Sequence, residues 1–103
     1  MKHFTDYQGR AVRLTAERLE HILGHPEMVT MLAAMEQTLA TPELVVRSRT
    51  EERVVLSYRL CRGTLIGDKW LCVVVKYAAA DAFVLTAYLT DKPKKGKRIW
   101  PTS

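Results

Sequence analysis

At 103 residues the chain is long enough for one domain and one modest hydrophobic core. With 48% hydrophobic and 26% charged residues it reads as globular rather than disordered, and its longest wholly apolar run, Trp70 to Val75, is far too short to span a bilayer as a helix. Sixteen Lys and Arg against eleven Asp and Glu leave a formal charge of +5, a positive field that favours anionic partners, nucleic acid first among them.

Residues 1–9 are polar and end at Gly9, which predicts a loose lead-in. Met1 to Asp6 carries no apolar signal core, so a cytoplasmic location is expected. Arg10 to Leu14 reads as a short strand. Thr15 suits a helix N-cap, Glu17 its first turn, and Leu19, Ile22 and Leu23 a buried stripe. Gly24 and Pro26 stop that helix. Pro26 also suits the first position of a second helix, whose stripe is Met28, Met31, Leu32, Met35 and Leu39, closed by Thr41-Pro42. The methionines are core filler rather than a ligand set.

The remainder reads as four strands: Leu44 to Arg49, Arg53 to Arg62, Trp70 to Tyr77 and Ala82 to Thr90. Gly63 to Lys69 is expected as a long turn. Short connections favour an antiparallel meander. The expected fold is therefore α+β, two N-terminal helices packed on a four-stranded antiparallel β-meander. One domain spans 1–103, with 91–103 as a basic C-terminal segment. Cys61 and Cys72 sit in apolar runs without a CxxC pair and read as buried free thiols.

Chemistry concentrates in three places. Arg18, His21 and His25 form a row at spacings of three and four beside the apolar stripe of the first helix. The plain reading is a surface histidine and a helix-end histidine. Imidazole is nonetheless the side chain able to move a proton near neutral pH without special surroundings. A zinc-peptidase pattern would need Glu after the first His, and here Ile22, Leu23 and Gly24 intervene, so neither metal nor cofactor is expected. In the last strand, alternation puts Val84, Thr86 and Tyr88 on one face and Phe83, Leu85 and Ala87 on the other, the second face expected to meet the helices. A tight Ala78–Asp81 turn would bring Lys76 to the Thr86 and Tyr88 face. Lys94, Lys95, Lys97 and Arg98 then form a basic loop before Trp100, suited to an RNA backbone with Trp100 or Tyr88 stacking on a base, or simply a solvated tail. Arg47 joins the candidate RNA contacts as one of several arginines in the middle of the chain.

The order Arg13-Leu14-Thr15, Glu17-Arg18, His21-Ile22, His25-Pro26-Glu27, Pro42, Leu71 to Lys76, Phe83 to Tyr88 and Lys94-Lys95-Gly96 resembles the phage-borne nuclease domains of the Barnase–EndoU–colicin–RelE-like group. The likeness covers roughly Gly9 to Trp100. It implies one or two helices before a four-stranded antiparallel sheet, and a toxin-like endoribonuclease that cuts RNA without metal in a bacterial or phage-infected cell. It further implies His21 or His25 as base or acid, Lys76 or an arginine steadying the phosphorane, and Thr86 and Tyr88 positioning phosphate or sharing proton transfer. An antitoxin or immunity protein would be a natural partner. Two other readings stand beside it: a basic module that grips nucleic acid without cutting it, and an accessory interaction domain of a phage assembly.

Overall fold

Thr15 and Gly24 bracket the first helix. In the computed structural model, which describes residues 1–102, the Thr15 hydroxyl accepts from the Arg18 backbone N–H at 3.2 Å, and α1 runs Ala16–Leu23 before Gly24 caps it. Ser103, the last residue of the expected basic segment, lies outside the described residues. Pro26 opens a single 3-10 turn, Pro26–Met28, not a second α-helix. The adjacent β-branched residues Val29 and Thr30 separate it from α2, Leu32–Ala40. The apolar stripe survives the break: Met28, Met31, Met35 and Leu39 are buried and Leu32 is half-buried.

Seven strands form one sheet: β1 Lys2–Thr5, β2 Ala11–Leu14, β3 Leu44–Arg47, β4 Val54–Thr64, β5 Gly67–Tyr77, β6 Ala82–Thr90 and β7 Lys97–Trp100. Their spatial order is β1-β2-β6-β5-β4-β3-β7, which gives the continuous apolar run of β5 the central place. Neighbours pair antiparallel except β2 and β6, which meet in parallel at Arg13 and Phe83. The architecture is thus a mixed seven-stranded sheet with two helices, and it overturns the expected four-stranded antiparallel meander. The error lies at the chain ends. Residues 2–5, expected as a loose lead-in, and 97–100, expected as basic tail, are the two edge strands. Four residues carry too few alternations for a period of two to be visible.

What makes β1 and β2 a hairpin is Asp6. Its carboxylate accepts from the backbone N–H groups of Gln8 and Arg10 at 2.9 and 2.8 Å and from the Tyr77 hydroxyl at 2.7 Å. Gly9 turns the chain at φ +83°. At 4% exposure, Asp6 is a buried polar group satisfied by three donors. Arg10 then donates to the carbonyls of Ala78 and Asp81, and Arg13 pairs with Asp81 at 2.8 Å, tying the hairpin to the β5–β6 turn. The hydrogen bond from Arg13 holds the Asp81 carboxyl below its ordinary range. The long turn expected over 63–69 is instead a tight one, Leu65-Ile66, with strands on both sides.

The two sheet faces carry separate apolar clusters. The helices cover one face, where Ile22, Met28, Met35 and Leu39 meet Leu71, Val73, Val75, Val84 and Ala87. On the open face Val46, Val54, Leu56, Tyr58 and Cys72 pack with Val74, Leu85 and Tyr88, with no helical residue among them. No helix is long and apolar enough to cross a membrane.

Candidate nucleic-acid interface

A β-bulge decides what β6 presents. Val75 pairs with Val84 and Val74 with Thr86, so Leu85 is the extra residue. Simple alternation fails across it. Val84, expected beside Thr86 and Tyr88, packs in the helix-side cluster, while Leu85, expected against the helices, packs on the open face with Tyr88. The bulge also leaves the Leu85 carbonyl available, and Arg18 Nη1 donates to it at 3.3 Å. This bond docks α1 beside β6, against which it packs. The histidine-bearing helix and β6 are therefore neighbours, although Thr86 and Tyr88 belong to the open face of the sheet and α1 packs with the helix-side cluster.

His21 is one turn beyond Arg18 on the same side of α1 and is exposed. His25 lies just past the helix, in extended backbone at φ −87° and ψ 119°, and is also exposed. The rings sit edge to face with centroids 6.1 Å apart. Among the described residues neither imidazole makes a side-chain hydrogen bond, so both have ring nitrogens free for a substrate.

On the open face, register builds rows across the strands. Tyr58, Cys72 and Tyr88 form one row, and Leu56, Val74 and Thr86 the next. Lys76 shares the face, paired with Val54 and Phe83. It is four residues from Cys72 along β5, roughly 13 Å at ~3.3 Å per residue. Lys76 thus lies two same-face positions along β5 from the Cys72–Tyr88 row. Lys94 stands closer to Tyr88, its Nζ 5.7 Å from the ring centroid.

Lys94 arrives there because of a strap. The β6–β7 connection, 91–96, spans four strand spacings, roughly 19 Å at ~4.8 Å each. It crosses the open face with the Lys94 backbone N–H donating to Tyr58 Oη at 3.0 Å. Gly96 lies so close to β3 that an added Cβ would sit 2.5 Å from the Arg47 carbonyl oxygen. Under this strap the phenols and thiol stay protonated. Burial pushes Tyr58 up to about 12 and Cys72 up to about 11, and burial also raises Tyr88, with Cys72 adding to it. A Tyr88 hydroxyl held protonated in this way can donate a hydrogen bond and is unsuited to act as a base at neutral pH.

The remaining candidate contacts divide between the faces. Arg98 pairs with Val46, an open-face residue, whereas Trp100 pairs with Val45 and its ring lies 5.6 Å from Tyr7. Arg47 and Lys97 pair with each other, and Arg47 lines a cleft with Arg10 and Arg53. Lys95 is exposed in the strap. Trp100 is not beside Tyr88, so the two do not form one stacking platform. Among the described residues, none of Arg47, Lys76, Lys94, Lys95, Lys97 and Arg98 belongs to an ion pair. Sequence reasoning missed Tyr58 and Cys72 as the row beneath Tyr88, although Val54, Leu56 and Tyr58 alternate clearly enough to share a face. It also missed Tyr7, Arg10 and Tyr77, which come together only through the Asp6 turn.

No family model, curated protein or solved structure matches the chain.

Proposed function

We propose that this domain is a small metal-independent endoribonuclease, with its reacting groups along the seam between α1 and β6. The observation that supports this reading is the Arg18–Leu85 bond at the bulge, which holds the helix carrying two unpartnered imidazoles at β6, the strand whose open face bears Thr86 and Tyr88. The resemblance of the His-Pro-Glu and Thr-Ala-Tyr segments to the Barnase–EndoU–colicin–RelE-like nucleases adds to it.

In this reaction one imidazole takes the proton of a ribose 2′-hydroxyl. The freed oxygen attacks the adjacent phosphorus, and the bond from phosphorus to the 5′-oxygen breaks. The second imidazole, protonated, gives its proton to that leaving oxygen. The products are a 2′,3′-cyclic phosphate and a 5′-hydroxyl. Arg18, on the same helix as the imidazoles, supplies positive charge for the pentacoordinate phosphorane, while Lys94, Tyr88 and Thr86, on the open face of β6, hold neighbouring phosphates of the RNA strand as it passes round the edge of the sheet.

Incubation of the chain with RNA in excess chelator tests the proposal. Cleavage is expected with the wild type and is expected to fall at least about 100-fold in a His21→Ala/His25→Ala double variant. Equal rates for the two would defeat the assignment. A non-catalytic RNA-binding module is the second reading. It is favoured by one observation: no carboxylate or carbonyl orients either imidazole among the described residues, whereas a proton-transferring histidine is usually held by such a partner. Salt-sensitive binding with intact RNA after long incubation would select it.

A further inference from the structure

On the helix-bearing side of the sheet, away from Tyr88 and the strap, lies a cleft of about 590 Å³. Tyr7, Gln8 and Arg10 of the Asp6 turn form one wall, Arg47 and Ile99 another, and Glu52 and Arg53 of the β3–β4 turn a third. Val55 and Tyr77 make the floor. Three guanidinium groups face one carboxylate, and among the described residues none of the three belongs to an ion pair.

Two details separate this cleft from an ordinary basic surface. Arg47 Nε is buried and has no hydrogen-bond partner, although Arg47 Nη1 reaches the Glu52 carbonyl at 3.4 Å. Protein atoms enclose the Nε, so only the terminal nitrogens of Arg47 are left to meet a ligand in the cleft. Arg10 is held in place, its guanidinium 5.4 Å from the Tyr77 ring centroid and its Nη2 on the Ala78 and Asp81 carbonyls. Arg10 is therefore fixed before any ligand arrives, while Arg53 is exposed at the rim. The remaining lining is Gln8, Glu52, two phenol rings, Val55 and Ile99, and its aromatic and apolar part is surface that a bare inorganic anion would not use.

We infer that this cleft is a nucleotide-binding site, taking a phosphate on Arg47 and Arg53 and a base against Tyr7 and the planar Arg10 guanidinium that lies over Tyr77. Its volume falls in the usual range of small-ligand sites, about 300–1,000 Å³. Guanidinium forks match phosphate oxygens in pairs, and aromatic faces accept any base. The nucleotide is either free or the phosphorylated end of a chain. The site lies on the opposite face of the sheet from Tyr88 and Lys94, so it stands whether or not the seam cleaves RNA.

Calorimetric titration of the full chain tests this, with adenosine 5′-monophosphate as the probe. Saturable binding is expected, with adenosine and inorganic phosphate each weaker by at least about tenfold. Arg47→Gln and Arg53→Glu are each expected to weaken it about tenfold or more, while Arg62→Glu, the same charge change at the β4–β5 hairpin, leaves it within about twofold. Arg53 is exposed, so Arg53→Glu carries the test even if Arg47→Gln unfolds. A 5′-phosphorylated deoxyoligonucleotide, which lacks the attacking 2′-hydroxyl, separates the two sources. Tighter binding than the mononucleotide assigns the site to chain ends, and equal or weaker binding assigns it to free nucleotide. The His21→Ala/His25→Ala variant is expected to bind as the wild type does, which keeps this result independent of cleavage. Absence of saturable binding, equal binding of adenosine alone, or equal losses in Arg53→Glu and Arg62→Glu would overturn the inference.

Discussion

His21 and His25 have no protein partner for their ring nitrogens among the described residues. Because both are exposed, replacing them removes chemistry without opening the core. Tyr88 is instead half-buried, with its hydroxyl held protonated by burial. Tyr88→Phe is therefore expected to slow cleavage about tenfold, the loss of one hydrogen bond to phosphate, with no change in the pH profile. Measuring kcat/KM across pH checks this, since a Tyr88 acting as base would change the profile.

Cys72 gives a stability test with a definite sign. Its folded pKa of about 11 lies above the ordinary thiol value, so the folded state holds the proton more tightly than the unfolded chain. The resulting stabilisation is fully present below the unfolded value of about 8.5 and is lost as pH rises towards 11. Urea midpoints are expected to fall from pH 8 to pH 11, and to fall less in Cys72→Val, which keeps an apolar side chain of similar size at the site. The same burial is expected to make Cys72 slower to alkylate than half-buried Cys61 at pH 8, as thiol labelling would read.

Among the elements, the seam and the strap frame the proposed site. The seam depends on a bulge that no pattern in Ala82 to Thr90 announces, because Leu85 is apolar whether it faces the helices or the open side. Strict alternation therefore placed Val84 and Leu85 on the wrong faces. The strap depends on Gly96. A methyl group there would meet the Arg47 carbonyl, so Gly96→Ala is expected to destabilise the fold by about 1–3 kcal/mol, read as a shift of the urea midpoint at constant slope. Elements with strong local signals were legible. Thr15, Gly24 and the Met28–Leu39 stripe announced a capped helix and a buried methionine row, and only the turn at Val29 and Thr30 interrupted them.

For the molecule as a whole, the four central strands were legible from β-branched and aromatic runs, and the edge strands were not. β1 and β7 exist because of long-range partners: Asp6 with Tyr77, and Gly96 against β3. Neither partnership leaves a local trace. The same is true of the charge, which reads as a single basic tail along the chain and is divided in space between two faces of the sheet. Binding to a non-cleavable DNA strand is expected to weaken steeply with salt, and each Lys or Arg in contact with phosphate contributes about −0.7 to the slope of log K against log salt. Lys94→Ala should lower that slope by about one contact, which a salt titration would show.

The central claim is that the imidazoles of the α1 seam transfer protons during an internal attack by the ribose. The chemistry of the new RNA ends tests it most directly. Fragments made by the wild-type chain in chelator should end in 2′,3′-cyclic phosphate and begin with 5′-hydroxyl, and an RNA carrying a single deoxyribose at the cut site should stay whole. Fragments with 5′-phosphate ends, or cleavage at the deoxyribose position, would contradict it.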